Sequence, residues 1–215
     1  MNPEQLLDRA RRLAATGGRR LLGIAGPPGA GKSTLAEYLV EELAGDAVLV
    51  PMDGFHLADA ELRRLGRTDR KGAPDTFDAA GYTALLSRLR HPEPDTVVYA
   101  PAFDRGLEQP VAGSIPVAPD VPLVVTEGNY LLLDAAPWTR VRALLDEAWY
   151  VELDSEERVR RLIERHEEFG KPRPHAERFV HESDEANARL VEACRGRADL
   201  VVTFEQGTAP GSAAP

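Results

Sequence analysis

One eight-residue segment, Gly26–Ser33, constrains this chain more than any other feature. It reads Gly-Pro-Pro-Gly-Ala-Gly-Lys-Ser and fits G-x-x-x-x-G-K-[ST] at every fixed position. Apolar residues predict a buried strand over 20–25 before it, and helical spacing predicts a helix from Lys32 after it. Glycines let successive backbone N–H groups surround an anion, which the positive end of the following helix also attracts. The segment therefore predicts a phosphate-binding loop rather than a chance glycine-rich turn.

The residue types of this loop predict how it holds a nucleotide. Lys32 is expected to reach the β- and γ-phosphates as a point charge, and the Ser33 hydroxyl to coordinate Mg²⁺. Thr34 is expected next to the α-phosphate. ATP and Mg²⁺ are thus the predicted cofactors, with GTP left open as the alternative nucleotide. The predicted nucleotide-binding residues are Gly26, Gly29, Ala30, Gly31, Lys32, Ser33 and Thr34.

Strand and helix signals alternate along the chain. A strand over 47–50 follows the helix from Lys32, and strand, helix and strand within about 35 residues predict a βαβ unit with parallel strands. The predicted class is an α/β fold of three layers, a parallel sheet flanked by helices with a mobile lid. Further strands are predicted over 96–100, 123–126, 148–153 and 200–202, and helices over 3–15, 57–65, 79–89, 155–169 and 175–194.

The domain organisation is predicted to be simple. No internal repeat or shift in composition divides the chain, so one domain is expected over 1–205, with an N-terminal helical part over 1–18 and the lid over 155–173. The Pro- and Gly-rich stretch 101–120 predicts a long loop that can contain a hairpin. The Gly/Ala/Pro/Ser composition of 206–215 predicts a disordered tail.

Composition excludes several classes of partner. The chain has 26 basic and 35 acidic residues, a formal net charge of -9, which argues against binding to nucleic acid or anionic membranes. No apolar run approaches the roughly 20 residues of a membrane span. A lone cysteine, Cys194, excludes an intrachain disulfide, and the five histidines lack metal-ligand spacing. These features predict a soluble cytoplasmic protein, with a homodimer left open.

The basic residues are almost all arginine, and the only lysines are Lys32, Lys71 and Lys171. A GC-rich genome explains the preference for arginine. A lysine that remains is worth locating, because the planar arginine fork cannot always replace a compact ammonium.

A phosphate loop alone predicts nucleotide binding, and three classes of protein compete to explain it. A GTPase should carry N-K-x-D, but the chain has no Asn-Lys pair, and the D-x-x-G match at 78–81 lies at a helix start. Motors are usually larger and often act on nucleic acid. A small-molecule kinase that closes over two substrates fits the length, the long loop and the Arg-rich late helix best.

Two acidic residues follow predicted strands and are candidates for the chemistry. Asp53 could accept the proton of an attacking hydroxyl, although an Asp-Gly turn is the alternative. Glu127 closes the strand over 123–126, where it could hold Mg²⁺ or contact substrate, the alternative being a capping or exposed glutamate.

The late helix carries four arginines that the spacing separates into two groups. Arg161 and Arg165 are four residues apart and share one face, so a lid could use them to neutralise a transferring phosphoryl group. The alternative is a solvated helix paired with its glutamates, and this is the interpretation preferred for Arg158 and Arg160.

Residues around the polar loops are candidates for a substrate pocket. Lys71 lies in the polar segment 69–78, where ordinary surface charge is the alternative. Tyr99, Phe103, Asp104 and Arg105 flank the long loop, with simple packing as the alternative for the aromatic rings.

Several segments together resemble a known superfamily, in its order and at its spacing. They are 23–26, 52–56, 70–78, 99–105, 127–130 and 198–202, together with Arg161 and Arg165. Over 20–203 the chain is similar to the P-loop kinases that include uridine kinase, phosphoribulokinase and bacterial pantothenate kinase. The pyrimidine-binding motifs of uridine kinase are not clearly reproduced after Tyr99, and the chain is shorter than pantothenate kinase.

The resemblance implies a transfer of the γ-phosphate of ATP, with Mg²⁺, to a hydroxyl of a small acceptor. It implies that Asp53 activates that hydroxyl and that Arg161 and Arg165 act in the lid. A nucleoside is the first predicted acceptor and a sugar or pantothenate-like alcohol the second. The alternative from another class is a nucleotide-binding regulatory module that hydrolyses ATP slowly and acts through a partner. The predicted substrate-binding residues are Asp53, Phe55, His56, Lys71, Tyr99, Arg105 and Glu127, and the predicted Mg²⁺ ligands are Ser33 and Glu127.

Overall fold

Strands and helices alternate along the chain as the sequence predicts. The structure is a computed structural model that describes residues 1–204. Its strands are β1 (Arg20–Ala25), β2 (Ala47–Leu49), β3 (Val98–Asp104), β4 (Gln109–Val117), β5 (Leu123–Glu127), β6 (Glu147–Glu152) and β7 (Leu200–Thr203). Its α-helices are α1 (Pro3–Ala14), α2 (Lys32–Glu42), α3 (Asp59–Leu65), α4 (Ala79–Arg90), α5 (Val141–Leu144), α6 (Ser155–Glu168), α7 (Arg173–Phe179) and α8 (Glu185–Glu192). The disordered tail predicted over 206–215 lies outside the described residues.

The central sheet has five strands in the order β2-β5-β1-β6-β7, and every neighbouring pair is parallel. Every residue of β5 is buried, as are five of the six residues of β1, which suits strands covered on both faces. The chain leaves β1 toward β2 on one side but leaves β5 toward β6 on the other. A crevice therefore forms at the carboxyl ends of β1 and β5, where ligands bind in sheets of this kind.

Two hydrophobic cores cover the two faces of this sheet. Leu22 and Ile24 of β1 pack with α1 and α2 in one core. Leu21 and Ala25 point to the opposite face and pack with α4 and the segment around Tyr130 in the other. The alternation along one strand thus separates the layers, and the three-layer α/β prediction is confirmed.

Local capping signals set the ends of the helices. Asn2 caps α1 by accepting from the backbone N–H of Gln5, whose side chain in turn accepts from the Asn2 backbone. Asp154 caps α6, and Asp78 caps α4 by accepting from the Gly81 N–H at 2.8 Å. The D-x-x-G match at 78–81 is therefore a helix cap.

The stretch 101–120, predicted as a long loop that can contain a hairpin, forms a hairpin over most of its length. Strand β3 continues to Asp104, and β4 pairs with it in an antiparallel arrangement. Prolines weakened the strand signal, because Pro101, Pro110 and Pro116 lie on the two strands. A two-stranded sheet tolerates them since its outer edges need no donor, and its register shifts between Ala100 and Ala102, on either side of Pro101.

The helix predicted over 175–194 is also interrupted. Between α7 and α8 the chain forms a π-helical turn, Val180–Asp184. Such turns insert an extra residue into a helix and often occur at functional sites. Asp184 at its end lies buried beside the site described below.

A third, smaller core holds the predicted lid region together. Leu162 and Ile163 of α6 pack there against Ala176 and Val180. The movement of this region as a lid over 155–173 stays a prediction. Within residues 1–204, no helix combines the length and apolar character needed to cross a membrane.

Gly54 should be required for the packing of the hairpin against the sheet. A Cβ at this position would lie 2.2 Å from the carbonyl oxygen of Pro101, a backbone atom that cannot swing away. We expect Gly54→Ala to lower the free energy of unfolding by about 2 kcal/mol, measured by chemical denaturation. Gly196→Ala is the matched control because its Cβ would meet no atom within 4 Å. Equal stability of the two variants would contradict this account.

Candidate active site

The phosphate-binding loop has a backbone that favours glycine at three positions. Gly26, Gly29 and Gly31 have φ angles of 150°, 79° and 95°. A Cβ at Gly26 would lie 2.5 Å from the Val151 carbonyl oxygen, and one at Gly29 would lie 2.8 Å from Leu162 Cγ. Glycine is therefore needed both for the conformation and for close packing against β6 and α6. Gly31 leads directly into α2, so the first turn of that helix faces the loop.

Lys32 and Ser33 are the first two residues of α2, and the side chain of each donates a hydrogen bond. The Lys32 ammonium is buried and donates to the carbonyl oxygen of Pro27 at 3.0 Å. Burial lowers the pKa of Lys32 to about 8, against the opposing effect of Glu127 and Asp53. The Ser33 hydroxyl donates to Glu127 Oε1 at 3.0 Å.

Glu127, the last residue of β5, is a buried carboxyl group next to these two side chains. Burial raises its pKa to about 7, and the nearby negative charge of Asp53 acts in the same direction. A carboxylate and a hydroxyl are oxygen ligands of the kind that Mg²⁺ takes. Residues 1–204 contain no group of three or more His, Cys, Asp or Glu that could hold a metal. The pair therefore suits an ion that takes its other ligands from phosphate oxygens and water.

A buried hydrogen-bonded chain joins the strands that carry Glu127 and Asp53. The Thr126 hydroxyl donates to the Val50 carbonyl oxygen at 2.6 Å, so Thr126 must accept from the Tyr82 hydroxyl, also at 2.6 Å. The chain ties the end of β5 to the residue after β2, and Asp53 follows three residues later.

Two cavities open at this edge of the sheet. The first, which we name the phosphate-loop cavity, has a volume of about 200 Å³ and is lined by Gly29, Gly31, Lys32, Ser33, Thr34, Arg161, Leu162 and Arg165. The second, which we name the Asp53 cavity, has a volume of about 400 Å³. Its lining residues are Pro28, Asp53, His56, Thr68, Lys71, Gly72, Phe77, Phe103, Arg105, Glu108, Asn129, Arg165, His166, Lys171, Phe179, Asp184 and Asn187. Arg165 lines both cavities, so they share a wall.

The structure brings most of the sequence-predicted residues to these two cavities. Gly26 and Glu127 line neither cavity, and three further exceptions have other surroundings. Phe55 packs on Tyr82 with ring centroids 5.1 Å apart. Tyr99 is 59% exposed on the hairpin and does not line the Asp53 cavity. Ala30 packs into the core with α1 and α2.

Lys71 is held at the wall of the Asp53 cavity by bonds from two directions. Its ammonium donates to Asp59 Oδ1 at 2.8 Å and to the Glu108 carbonyl oxygen at 2.7 Å. Its loop is anchored to the core, because the Tyr130 hydroxyl donates to the Gly72 carbonyl oxygen at 2.5 Å. Lys71 therefore connects three segments, which simple surface charge would not require.

His56 is a neutral side chain within an aromatic cluster. Its ring lies 4.0 Å from Phe77 and 4.9 Å from Phe103, between centroids. Nδ1 lies 2.8 Å from the Asp53 carbonyl oxygen, which can only accept, so Nδ1 carries the proton. Burial lowers the pKa of His56, which favours the neutral ring. The ring thereby helps to hold Asp53 at the cavity wall.

The prediction that Arg158 lies on a solvated helix face is wrong. Its side chain is 1% exposed, forms an ion pair with Glu185 and donates to the Pro28 carbonyl oxygen at 3.4 Å. Arg160 is solvated, as predicted, with 57% of its side chain exposed. Arg158 lies on the face of α6 that packs on the phosphate loop, because a Cβ at Gly29 would be 3.2 Å from Arg158 Cγ.

Several residues of the Asp53 cavity escaped the sequence analysis. They come from the segment after the predicted lid arginines and from the loop after β5, and they are Asn129, His166, Lys171, Phe179, Asp184 and Asn187. The scarcity of lysine was the signal that could have indicated Lys171. The π-helical turn that carries Asp184 has no such signal in the sequence.

No family profile matches the chain, but individual proteins and solved structures are similar to it. A Schizosaccharomyces pombe protein provisionally named a uridine kinase is 37% identical over 172 residues, which are 76% of this chain and 73% of that protein. A pantothenate kinase of Limosilactobacillus reuteri is 33% identical over 144 residues, 62% of this chain and 45% of that protein. A Silicibacter sp. TM1040 crystal structure, provisionally named a fructose transport system kinase, is 38% identical with a TM-score of 0.85, covering 94% of this chain and 99% of that one.

The raised pKa of Glu127 gives a pH-dependent stability. The pKa is about 7 in the folded chain and 4.5 ordinarily, so this group contributes stability below about pH 4.5 that is lost as pH rises through 7. Glu127→Gln carries no charge. We expect the variant to gain on the order of 2 kcal/mol relative to wild type between pH 4.5 and 8, without metal or nucleotide.

Urea unfolding at several pH values in EDTA measures this difference. The control is Glu37→Gln, since Glu37 is exposed on α2, the helix whose first turn contains Ser33. Parallel pH profiles for wild type and Glu127→Gln would show that the carboxylate is not destabilised by its surroundings.

Proposed function

The chain belongs to the family of P-loop kinases that includes uridine kinase and pantothenate kinase. Family membership makes it a kinase that acts on a small molecule. We propose that it transfers the γ-phosphate of ATP to a hydroxyl group of a small polar metabolite. The observation that carries this proposal is the shared wall of the two cavities, with Lys32 on one side, Asp53 on the other and Arg165 on both.

The phosphate-loop cavity is the proposed donor side. Backbone N–H groups after Gly29 and the ammonium of Lys32 would bind the ATP phosphates there. Ser33 and Glu127 would hold Mg²⁺, which supplies positive charge to the β- and γ-phosphates. Glu127 is poised for this because a cation would favour its carboxylate form over the neutral form that burial favours.

The Asp53 cavity is the proposed acceptor side. The acceptor hydroxyl oxygen would form a bond to the γ-phosphorus while the bond from that phosphorus to the β-phosphate oxygen breaks and ADP leaves. The hydroxyl proton would pass to the Asp53 carboxylate. Arg105 Nη2 lies 4.0 Å from Asp53 Oδ2, so the two side chains face each other at the wall of this cavity.

Arg165 is suited to stabilise charge between the two cavities. Its side chain makes no hydrogen bond or ion pair with any other of residues 1–204. Arg161, one turn earlier, forms an ion pair with Glu157 at 2.7 Å. In the proposed reaction both arginines face the transferring phosphoryl group, and closure of the 155–173 region would exclude water.

The identity of the acceptor is tested by a panel. The sequence predicts a nucleoside first and a sugar or pantothenate-like alcohol second, so uridine, fructose and pantothenate enter the assay together. ATP consumption is measured with and without each compound, and the product is identified by its mass. ATP binding without phosphate gain by any compound would reject the kinase proposal and favour a regulatory module that hydrolyses ATP.

Asp53→Asn should separate binding from transfer. The amide cannot accept the hydroxyl proton as a carboxylate does, so we expect kcat to fall at least about 100-fold while ATP affinity stays within a few-fold. Asp8→Asn is the matched control, because Asp8 is exposed on α1 and lines neither cavity. Steady-state kinetics and ATP titration measure the two effects. Unimpaired transfer by Asp53→Asn would reject its role as the base.

Arg165→Met should also act mainly on the transfer step. Loss of one preorganised cation at a developing charge costs about 100-fold in kcat. Arg160→Met is the control because Arg160 is on the same helix but pairs with Glu157 and Glu164 on its solvated face. Equal kcat values for the two variants would place Arg165 outside the chemistry.

A further inference from the structure

The Asp53 cavity gathers more positive charge than the proposed reaction uses. Four basic residues line it, Lys71, Arg105, Arg165 and Lys171, against three acidic ones, Asp53, Glu108 and Asp184. Lys71 has a carboxylate partner, Asp59, at 2.8 Å. Arg105 reaches only Asp53, at 4.0 Å, and Lys171 has no ion pair within residues 1–204. Arg165 is assigned above to the phosphoryl group, which leaves Arg105 and Lys171 for the acceptor.

Lys171 is held in the cavity by a neutral partner. It lies between α6 and α7, where its ammonium is 3.1 Å from His166 Nδ1. An ammonium only donates, so Nδ1 accepts and the proton of His166 is on Nε2, which donates to Asp184 Oδ2 at 3.0 Å. The Asp184 carboxylate is therefore bonded to the histidine, and Lys171 forms no ion pair with a carboxylate of residues 1–204.

The electrostatic surroundings of Lys171 also favour a bound anion. Burial lowers its pKa, and the positive charges of Arg165 and Lys71 lower it further, against the opposing effects of Asp184 and Glu108. Arg105 extends the group of cations, since its guanidinium lies 5.6 Å over the ring of Phe169, two residues before Lys171. An anion placed among these side chains would be bound without displacing a carboxylate.

The aromatic rings of the cavity are already covered by other groups. Lys71 lies 5.4 Å from the centroid of Phe103, and Lys171 lies 4.0 Å from that of Phe179. The rings of His56 and Phe77 are packed against each other. A neutral base would need a free ring face on which to stack. The cavity offers cations where such a base would need aromatic surface.

We propose that the acceptor carries an anionic group, a carboxylate or a phosphate, remote from its reacting hydroxyl, and that Lys171 and Arg105 bind this group. The inference rests on the proposed kinase function and narrows its substrate class from polar metabolites to hydroxylated anions. Lys171 acts as a specificity residue that selects the acceptor by charge. His166 and Asp184 act as positioning residues, because they hold the ammonium at the cavity wall.

Because lysine is scarce in the chain, the binding of an anion at Lys171 can be measured directly. With only three lysines in the chain, protein labelled with ¹³C at lysine Cε gives three side-chain NMR signals, and Lys171→Arg assigns one of them. Matched probes are added at constant pH and ionic strength: glycerate against glycerol, pantothenate against pantothenol, and ribose 5-phosphate against ribose, with uridine as a neutral nucleoside. We expect the Lys171 signal to shift with anionic probes only, and the comparison of carboxylate with phosphate probes identifies the preferred anion.

Turnover of the same pairs tests the kinase half separately. We expect phosphate transfer to at least one anionic member, with kcat/KM at least about tenfold above its neutral counterpart, equivalent to about 1.4 kcal/mol. Lys171→Met should raise KM for that acceptor about tenfold or more and leave kcat within about twofold. Lys171→Arg should recover part of the loss, and Arg160→Met on the solvated face of α6 should leave KM unchanged.

The outcomes distinguish the two proposals. Phosphorylation of uridine, ribose or glycerol as readily as of the anions, with no response of Lys171, would keep the kinase function and overturn the anionic acceptor. A Lys171 response to anions without transfer to any probe would support the anion site and overturn the kinase function. No response and no transfer would overturn both, and equal KM values for Lys171→Met and Arg160→Met would remove Lys171 from acceptor recognition.

Discussion

The hydrogen bond from the Ser33 hydroxyl to the Glu127 carboxyl group is the interaction on which the site depends. It joins the first turn of α2 to the end of β5, and it requires β5 to lie next to β1 in the sheet. Burial of Glu127 is unfavourable for its charge, so the arrangement is most stable when a cation is present. The parallel sheet thus positions a carboxylate that a bound phosphate-associated metal would favour.

The end of β2 places Asp53 on the proposed acceptor side of the site. The hydrogen-bonded chain of Tyr82, Thr126 and Val50 fixes β2 against β5, and the short turn after β2 then presents Asp53. Helix α6 covers the opposite side, where Arg158 anchors it to the phosphate loop through the Pro28 carbonyl oxygen. Further along α6, Leu162 lies against Gly29 and belongs to the small core that joins α6 to α7.

Local signals in the sequence predicted much of the fold because they act within a few residues. The apolar run of β1, the Asn2 and Asp154 caps and the loop at Gly26–Ser33 specify their conformations without help from distant segments. Asp53 and Glu127 could be proposed because strand ends meet at one edge of a parallel sheet. The environment of Arg158 could not be predicted. A helix rich in charged residues has the same sequence pattern whether one of its faces is solvated or packs against another element. The extent of the β3–β4 hairpin could not be predicted, because its strands contain prolines, which are tolerated only where a strand edge is unpaired.

The net charge of -9 and the basic residues that line the Asp53 cavity act over different distances. Net charge governs the approach of long polyanions, whose contacts spread over a surface and are screened beyond about 8 Å in physiological salt. A single small anion inside a cavity responds to the few cations within a few ångströms of it. Lys32, Lys71 and Lys171 all lie at the two cavities, although arginine occupies nearly every other basic position of the chain. A partly buried ammonium group that lacks a direct carboxylate partner, as Lys171 does within residues 1–204, destabilises the fold. A bound anion offsets that cost. The position of Lys171 is therefore understandable if its counter-ion is the substrate.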